Sequence, residues 1–326
     1  MSQIGILLTS RNNYDFMEKF WVPNTMGKCD VNCKVLNIDE GSSLDEKAKG
    51  KILCEKYGID YMDREEPGMH HNVSSAIRFF GEEVKYIIWF QHDCWPLQRD
   101  FFTRFNSIVN SGKLDVFGTI GFNSLAQNMF KRNNEHEDII MEFKEEKKPI
   151  GVISRSVLES AGGRDLYYCG KKVGKRIRYP VDRDKFSKPC AIAVPVWYAI
   201  SVNASLFKKE IELDRGMHFF RSWDDISFQF LNKNIYNIVL PDFYIEHRPD
   251  LKRVIGLPQL SVKRVKKDDT YHSAIGSGPE AWIKVWGWNF EKPSTFENVK
   301  KRYKGTLLEK FYKYDYTAGP LKIFNL

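Results

Sequence analysis

The residues with the clearest chemical use in this chain are Gln91-His92-Asp93, which end the apolar run Tyr86-Ile87-Ile88-Trp89-Phe90 and precede Cys94-Trp95-Pro96. A run of that length fits one fully buried strand, and in α/β proteins ligands sit at the carboxyl ends of such strands. Asp93 there is a hard oxygen donor beside an imidazole, suited to a divalent cation that itself holds phosphate. Other polar groups stand in the same relation to an apolar run. Thr9-Ser10-Arg11-Asn12 ends the first, Asp39-Glu40-Gly41-Ser42 ends the second, and Glu246-His247-Arg248-Pro249 follows a late run and Pro241. An acidic pair, Asp224-Asp225, lies in the aromatic setting Trp223 to Phe228.

Taken singly, each has a plainer reading. Asp39 with Gly41 makes a helix-capping turn. Asp224 and Asp225 suit the first turn of a helix, where the dipole favours acids. A lone His247 suits a structural hydrogen bond, and His70-His71 reads as part of a solvated polar loop. The Trp282, Trp286 and Trp288 cluster reads as packing before it reads as a sugar platform. The joint order of these groups, not any one of them, points to a site.

The elements that must position them alternate. Ile4 to Thr9, Cys33 to Ile38, Ile59 to Met62, Tyr86 to Phe90 and Val116 to Ile120 read as strands. Tyr14 to Trp21, Leu44 to Tyr57, Val73 to Phe80 and Phe101 to Val109 have helical spacing. Such alternation predicts a mainly parallel sheet with helices on both faces. Later, Ala191 to Val202 and Ile235 to Leu240 read as strands, the second stopped by Pro241, and Phe296 to Tyr312 as helical. The charged and Gly-rich stretch from about 131 to 190 reads as an insertion, and the chain changes character beyond Pro249.

Composition excludes several classes. The chain has 326 residues, 42% hydrophobic and 14% aromatic, enough to bury a large core. No stretch approaches the roughly 20 apolar residues of a transmembrane helix. Met1-Ser2-Gln3 runs straight into a strand-like pattern, unlike a secretory signal. Six scattered cysteines lack paired zinc-site spacing and read as reduced thiols, which gives a cytoplasmic expectation. The net charge of +8 gathers partly in Lys171 to Arg178 and in Lys252, Arg253, Lys263, Arg264, Lys266 and Lys267. Without a nucleic-acid module beside them, these runs predict no nucleic-acid partner and leave peripheral membrane contact open through the basic C-terminal region. Gly170 to Arg176 imitates a P-loop but is one residue short and ends in Arg. There is no G-x-G-x-x-G after the first strand and no G-x-S-x-G elbow.

In order and spacing, the motifs resemble those of the family-2 glycosyltransferases of the GT-A fold. The turn after the first strand, Asp39 to Ser42, Gly68 to Asn72, Gln91 to Asp93, Asp224-Asp225 and His247 stand where that family has its conserved segments, and Trp286-Gly287 is similar to a Trp-Gly pair near its end. The resemblance covers about residues 1–250. It implies an α/β, GT-A (Rossmann-like) doubly wound, mainly parallel sheet. The nucleotide-sugar half would span 1–117, the acceptor and catalytic half 118–249, and a C-terminal extension 250–326. By the same resemblance Thr9, Arg11, Asp39, Asn72, Gln91 and His92 line the donor site, Asp93 and His247 hold Mn²⁺ or Mg²⁺, Asp225 is the general base and Asp224 stands where the family has Glu. The implied reaction is inverting transfer from a nucleoside-diphosphate sugar, UDP-linked, to a hydroxyl on a glycan, lipid or protein. One departure is plain: Gln91 replaces the first acid of the family's Asp-x-Asp, so it brings no charge to a metal, while His92 could offer nitrogen and favour Mn²⁺. Two other classes compete: a non-catalytic carbohydrate- or nucleotide-binding protein on a degenerate GT-A scaffold, and a zinc hydrolase built on His70, His71, His92 and His247.

Overall fold

The computed structural model describes residues 3–64, 68–126, 154–155, 166–168, 171–173, 188–192, 194–195, 199–217, 221–248, 251, 280–287, 301–312 and 322–326. Most of the expected insertion, the basic C-terminal runs and Trp288 lie outside the described residues.

Among the described residues, nine strands form the main sheet: β1 (Ile4–Ser10), β2 (Lys34–Glu40), β3 (Asp60–Arg64), β4 (Tyr86–Gln91), β5 (Cys94–Pro96), β6 (Phe117–Ala126), β7 (Cys190–Ile192), β8 (Ala199–Asn203) and β9 (Tyr236–His247). Their order is β7-β9-β6-β8-β4-β1-β2-β3, with β5 paired to β9. β1 to β4 all run in one direction, as do β6 and β9, while β8 lies antiparallel between β4 and β6. The longer helices are α1 (Leu44–Tyr57), α2 (Met69–Phe80), α3 (Phe101–Asn110), α4 (Ala204–Glu210), α5 (Ser222–Asn232) and α6 (Leu307–Tyr312).

The period of a strand sorts its side chains to two faces. Ile6 and Leu8 of β1, with Ile88 and Phe90 of β4, pack with Leu53 of α1 and with Phe101, Phe102 and Phe105 of α3. Leu7 and Trp89 face the other way, against Val73 and Ile77 of α2, Phe207 of α4 and Trp223 and Ile226 of α5. Two cores on opposite faces make the sheet doubly wound. α2 lies close on β1: a Cβ on Gly5 would sit 2.8 Å from the Phe80 ring. α1 starts on Ser43, whose Oγ accepts the Glu46 N–H, and stops at Gly58 with φ +64°.

Two elements depart from the expectation. α2 begins at Met69, so His70, His71 and Asn72 stand in its first turn and not in a loop. β9 does not stop at Pro241; it continues to His247 through a register shift between Leu240 and Tyr244. A bulge is where a strand tolerates a residue lacking an N–H. The extra length lets β9 pair with β5.

Candidate active site

The adjacent ends of β1, β2 and β4 are in register, Thr9 opposite Gln91 and Ser10 opposite Asp39. Thr9, Asp39 and Gln91 therefore share the carboxyl edge. The loops leaving β1 and β2 clasp each other: the Asn12 N–H donates to Ser42 Oγ at 2.9 Å, and the Ser43 N–H to Asn12 Oδ1 at 2.9 Å. Asp39 is fully buried. Its Oδ1 accepts the Ser42 N–H (2.8 Å), and its Oδ2 accepts the hydroxyls of Tyr14 (2.5 Å) and Tyr61 (3.0 Å). Burial, reinforced by the bond to Asp39, raises the Tyr14 hydroxyl far above the usual tyrosine range, and burial beside the Asp39 charge raises Tyr61. Both therefore remain protonated donors to the carboxylate.

Glu40, next along β2, turns to the opposite face. Its Oε1 accepts Asn72 Nδ2 at 2.6 Å and the Gly68 N–H at 3.3 Å, while Arg64 Nη1 donates to Asn72 Oδ1 at 3.2 Å. Burial raises the Glu40 carboxyl, against the opposing pull of Asn72. Asn72, expected on the donor, is fully buried and ties the start of α2 to β2. Arg11 is half-buried and near enough for its charge to act on Glu40. Thr9 Oγ1 accepts the Trp89 indole N–H at 3.1 Å. Gln91 and His92 are half-buried, with the His92 ring edge-on to Phe16 at 5.9 Å.

Beyond Gln91, the long β9 returns to the same edge. His247 Nε2 lies 3.7 Å from Asp93 Oδ1, and Cys94 Sγ lies 3.7 Å from the same oxygen. One donor atom from each of Asp93, Cys94 and His247 falls within 4.8 Å of the others, all three residues being buried. A carboxylate and an imidazole at 3.7 Å are too far apart for a good hydrogen bond. Two ligands each about 2.1 Å from one ion stand roughly 3.4 Å apart at a tetrahedral angle. The donor set thus fits a divalent cation.

The two acids of the pair are partnered unequally. Asp225 is fully buried in the first turn of α5. Its Oδ1 accepts Trp286 Nε1 (2.6 Å) and Arg215 Nε (3.1 Å); its Oδ2 meets Gln229 Nε2 (2.7 Å) and His70 Nε2 (2.9 Å). A carboxylate has about four acceptor positions, so the expected general base has no position left for a substrate hydroxyl. Asp224 is complementary. Its Oδ2 accepts Arg221 Nη1 at 2.8 Å, and its buried Oδ1 has no hydrogen-bond partner among the described residues. A buried, unsatisfied carboxylate oxygen costs stability and marks a place where function is to be sought.

The four histidines do not converge. His70 meets Asp225, His71 meets Asp214 at 2.9 Å, and His247 meets Asp93. Sequence reasoning missed His70, Arg215 and Cys94 as partners of the acids. The helical phase of His70 and Val73 was the one available signal, obscured by Gly68 and the polar residues between. The sequence marks Trp286 through its neighbour Gly287; in the fold its indole donates to Asp225 under the Arg215 guanidinium, which stacks 5.0 Å from its ring.

No protein-family model matches the chain, and no curated protein matches it in sequence. Solved structures do. Over 97% of its length the chain is similar to GalNAc-T7 crystallised with UDP, GalNAc and Mn²⁺, at 9% identity and a TM-score of 0.53. The chain spans 57% of that protein's length. Weaker likeness extends to a mannosyltransferase from Pyrobaculum calidifontis in complex with GDP-Man and Mn²⁺ (12% identity, 92% of this chain and 74% of that one, TM-score 0.45). It extends also to S. aureus TarS (11% identity, 95% and 82%, TM-score 0.43). At these identities the likeness is one of fold: the chain has the GT-A α/β fold that its motif order predicts. Among the described residues, no helix is long and apolar enough to cross a membrane.

Proposed function

We propose that this chain is a metal-dependent hexosyltransferase that moves a sugar from a nucleoside-diphosphate donor, UDP-linked, to a hydroxyl on a glycan, lipid or protein, with inversion. The observation that carries the reading is the meeting of Asp93 and His247 at the carboxyl edge of a GT-A sheet, beside strand ends bearing Thr9, Asp39 and Gln91. The ligands of GalNAc-T7, UDP and GalNAc with Mn²⁺, are of the chemical class this edge would take.

In this reading Asp39, held rigid by Tyr14, Tyr61 and the Ser42 N–H, receives the nucleobase with Thr9 and Arg11, while Gln91 and His92 face the ribose and phosphates. Asn72 acts at one remove, keeping α2 against β2. Asp93 and His247 would hold Mn²⁺ or Mg²⁺, which supplies positive charge against the departing diphosphate. The acceptor oxygen bonds to the anomeric carbon as the bond from that carbon to the diphosphate oxygen breaks, and the diphosphate leaves with the electron pair. We assign the acceptor's proton to Asp224 Oδ1, the unpartnered oxygen of the pair, and leave Asp225 to position His70 and the start of α5. Attack opposite the leaving group inverts the carbon. The chain divides into a donor half (1–117), an acceptor half (118–249) and an extension (250–326) whose Trp286 reaches Asp225. A cytoplasmic setting belongs to the same reading; among the described residues Cys29, Cys33, Cys54, Cys94 and Cys190 form no disulfide.

The test is incubation of the pure protein with Mn²⁺ and a panel of nucleotide sugars. Donor hydrolysis or transfer is expected, and Asp224→Asn should lose transfer while keeping donor affinity. Absence of both binding and hydrolysis for every donor sinks the reading. Gln91, in place of an acid, favours the second reading, a binding protein on a degenerate scaffold; donor binding without metal-dependent hydrolysis would select it.

A further inference from the structure

Resting on the metal centre proposed above, we infer that Cys94 is a third ligand of that centre, and that its sulfur tunes the site towards Zn²⁺, Co²⁺ and Mn²⁺ and against Mg²⁺. The placement follows from register. β5 and β9 are antiparallel with Cys94 directly opposite His247, Trp95 opposite Glu246 and Pro96 opposite Ile245. Residues directly opposite on antiparallel strands send their side chains to the same face, with Cβ atoms about 5 Å apart. Sulfur and imidazole therefore leave the ladder side by side, and Asp93, one residue before Cys94, closes the third corner at 3.7 Å from both.

The frame around the three donors is stiff. The Arg248 N–H donates to the Asp93 carbonyl at 2.8 Å and the Leu97 N–H to the Tyr244 carbonyl at 2.9 Å. Glu246 accepts Trp95 Nε1 through Oε2 and Arg248 Nη1 through Oε1, both at 2.9 Å. The first three of these bonds tie the β5 segment to β9 and the fourth braces Glu246, so no strand has to move to bring the donors together. Held donors of this kind raise affinity by removing the cost of ordering them.

The donor elements decide the ion. An oxygen-only site suits Mg²⁺, which keeps its waters and prefers hard ligands. One oxygen, one nitrogen and one sulfur follow the softer order, in which Zn²⁺ exceeds Co²⁺ and Co²⁺ exceeds Mn²⁺. Gln91 works in the same direction, because it leaves the site with a single carboxylate from this edge. On binding, the thiol proton is released to solvent and the sulfur bonds the ion as thiolate.

The experiment is a Co²⁺ titration of the intact 326-residue chain, read by absorption. Visible d–d bands report occupancy, and a near-ultraviolet sulfur-to-cobalt charge-transfer band reports the thiolate. The wild type should show both. Cys94→Ser should keep the visible bands, lose the charge-transfer band and bind Zn²⁺ about 10–100-fold more weakly, with Mg²⁺ affinity unchanged. Cys94→Ala, which buries no hydroxyl, must behave the same way, and a Cys29→Ser/Cys33→Ser variant must retain the band. Visible bands without charge transfer in the wild type, or a band that survives both Cys94 variants, overturn the assignment and leave the metal centre standing. Failure of the wild type to bind Co²⁺ at all overturns the centre itself.

Discussion

Replacing Asp225 by Asn separates an anchoring carboxylate from a catalytic base. Asp225 is fully buried and meets four donors, two on each oxygen. Asn keeps the shape but turns one oxygen into an NH₂ group. If that group replaces Oδ1, it faces Arg215 Nε and Trp286 Nε1, neither of which can accept. If it replaces Oδ2, it opposes Gln229 Nε2, whose amide is fixed by the Glu212 N–H on its Oε1 at 2.8 Å, and only His70 Nε2 could accept from it. Either rotamer leaves opposed donors and strips Arg215 of its buried partner. Breaking a buried pair in this way costs about 3–5 kcal/mol. With an unfolding entropy of about 2.1 cal/mol/K per residue over the 326-residue chain, Tm should fall by roughly 4–7 °C. The assay is thermal unfolding followed by tryptophan fluorescence, with Asp214→Asn as control, since Asp214 is an exposed partner of His71 and its loss should cost under about 1 kcal/mol. A Tm unchanged or raised in Asp225→Asn would refute the anchoring role. It would return Asp225 to the part of base, where removal of a strained functional charge relieves the fold.

Three further outcomes are expected. Glu40→Gln keeps the acceptor for Asn72 and Gly68 but cannot ionise. Because burial raises the Glu40 carboxyl, its stabilising contribution is complete below the ordinary value of 4.5 and is lost as pH rises through the folded value. Denaturant unfolding across that range should thus show the variant gaining on the wild type as pH rises; a constant gap refutes the burial argument. Gly50→Ala gains about 1 kcal/mol of helix propensity, but its Cβ would meet the Tyr14 ring at 2.3 Å. Overpacking of about 1–3 kcal/mol should win, lowering Tm and weakening nucleotide binding through Asp39, whereas Gly27→Ala, with open space around it, should do neither. Burial pushes the thiols of Cys54 and Cys190 up to about 12, while the hydrogen bond with Cys33 lowers that of Cys29. Among these three, a thiol reagent near neutral pH should therefore label Cys29 first and spare Cys54 and Cys190, as peptide mapping by mass spectrometry will report.

The first half of the fold was legible in the sequence because its signals are local. Continuous apolar runs ended by polar turns marked β1, β2 and β4, and the spacing of Leu44 to Tyr57 marked α1 to the residue. Parallel pairing of β1, β2 and β4 then puts Thr9, Asp39 and Gln91 on one edge without further information. Pro241 reads as a stop because a proline lacks the N–H a central strand needs. The bulge that absorbs it depends on what β9 can pair with afterwards, and the partner, β5, lies far away in the chain. The same holds for His70, whose polar neighbours read as a loop until Glu40 and Asn72 fasten the segment into α2.

By itself, then, the sequence determined which residue types stand at strand ends, and their order was enough to predict the α/β sheet. Only the tertiary structure decided how the two acids are partnered. It surrounds Asp225 with donors from α2, α5, the turn holding Arg215 and the helical segment 280–286, and leaves one oxygen of Asp224 unpartnered among the described residues. It also sets Cys94 beside His247. The physical reason is that strand and helix periods act over a few residues, whereas a carboxylate's free lone pairs and a metal's donor set are sums over contacts between distant segments.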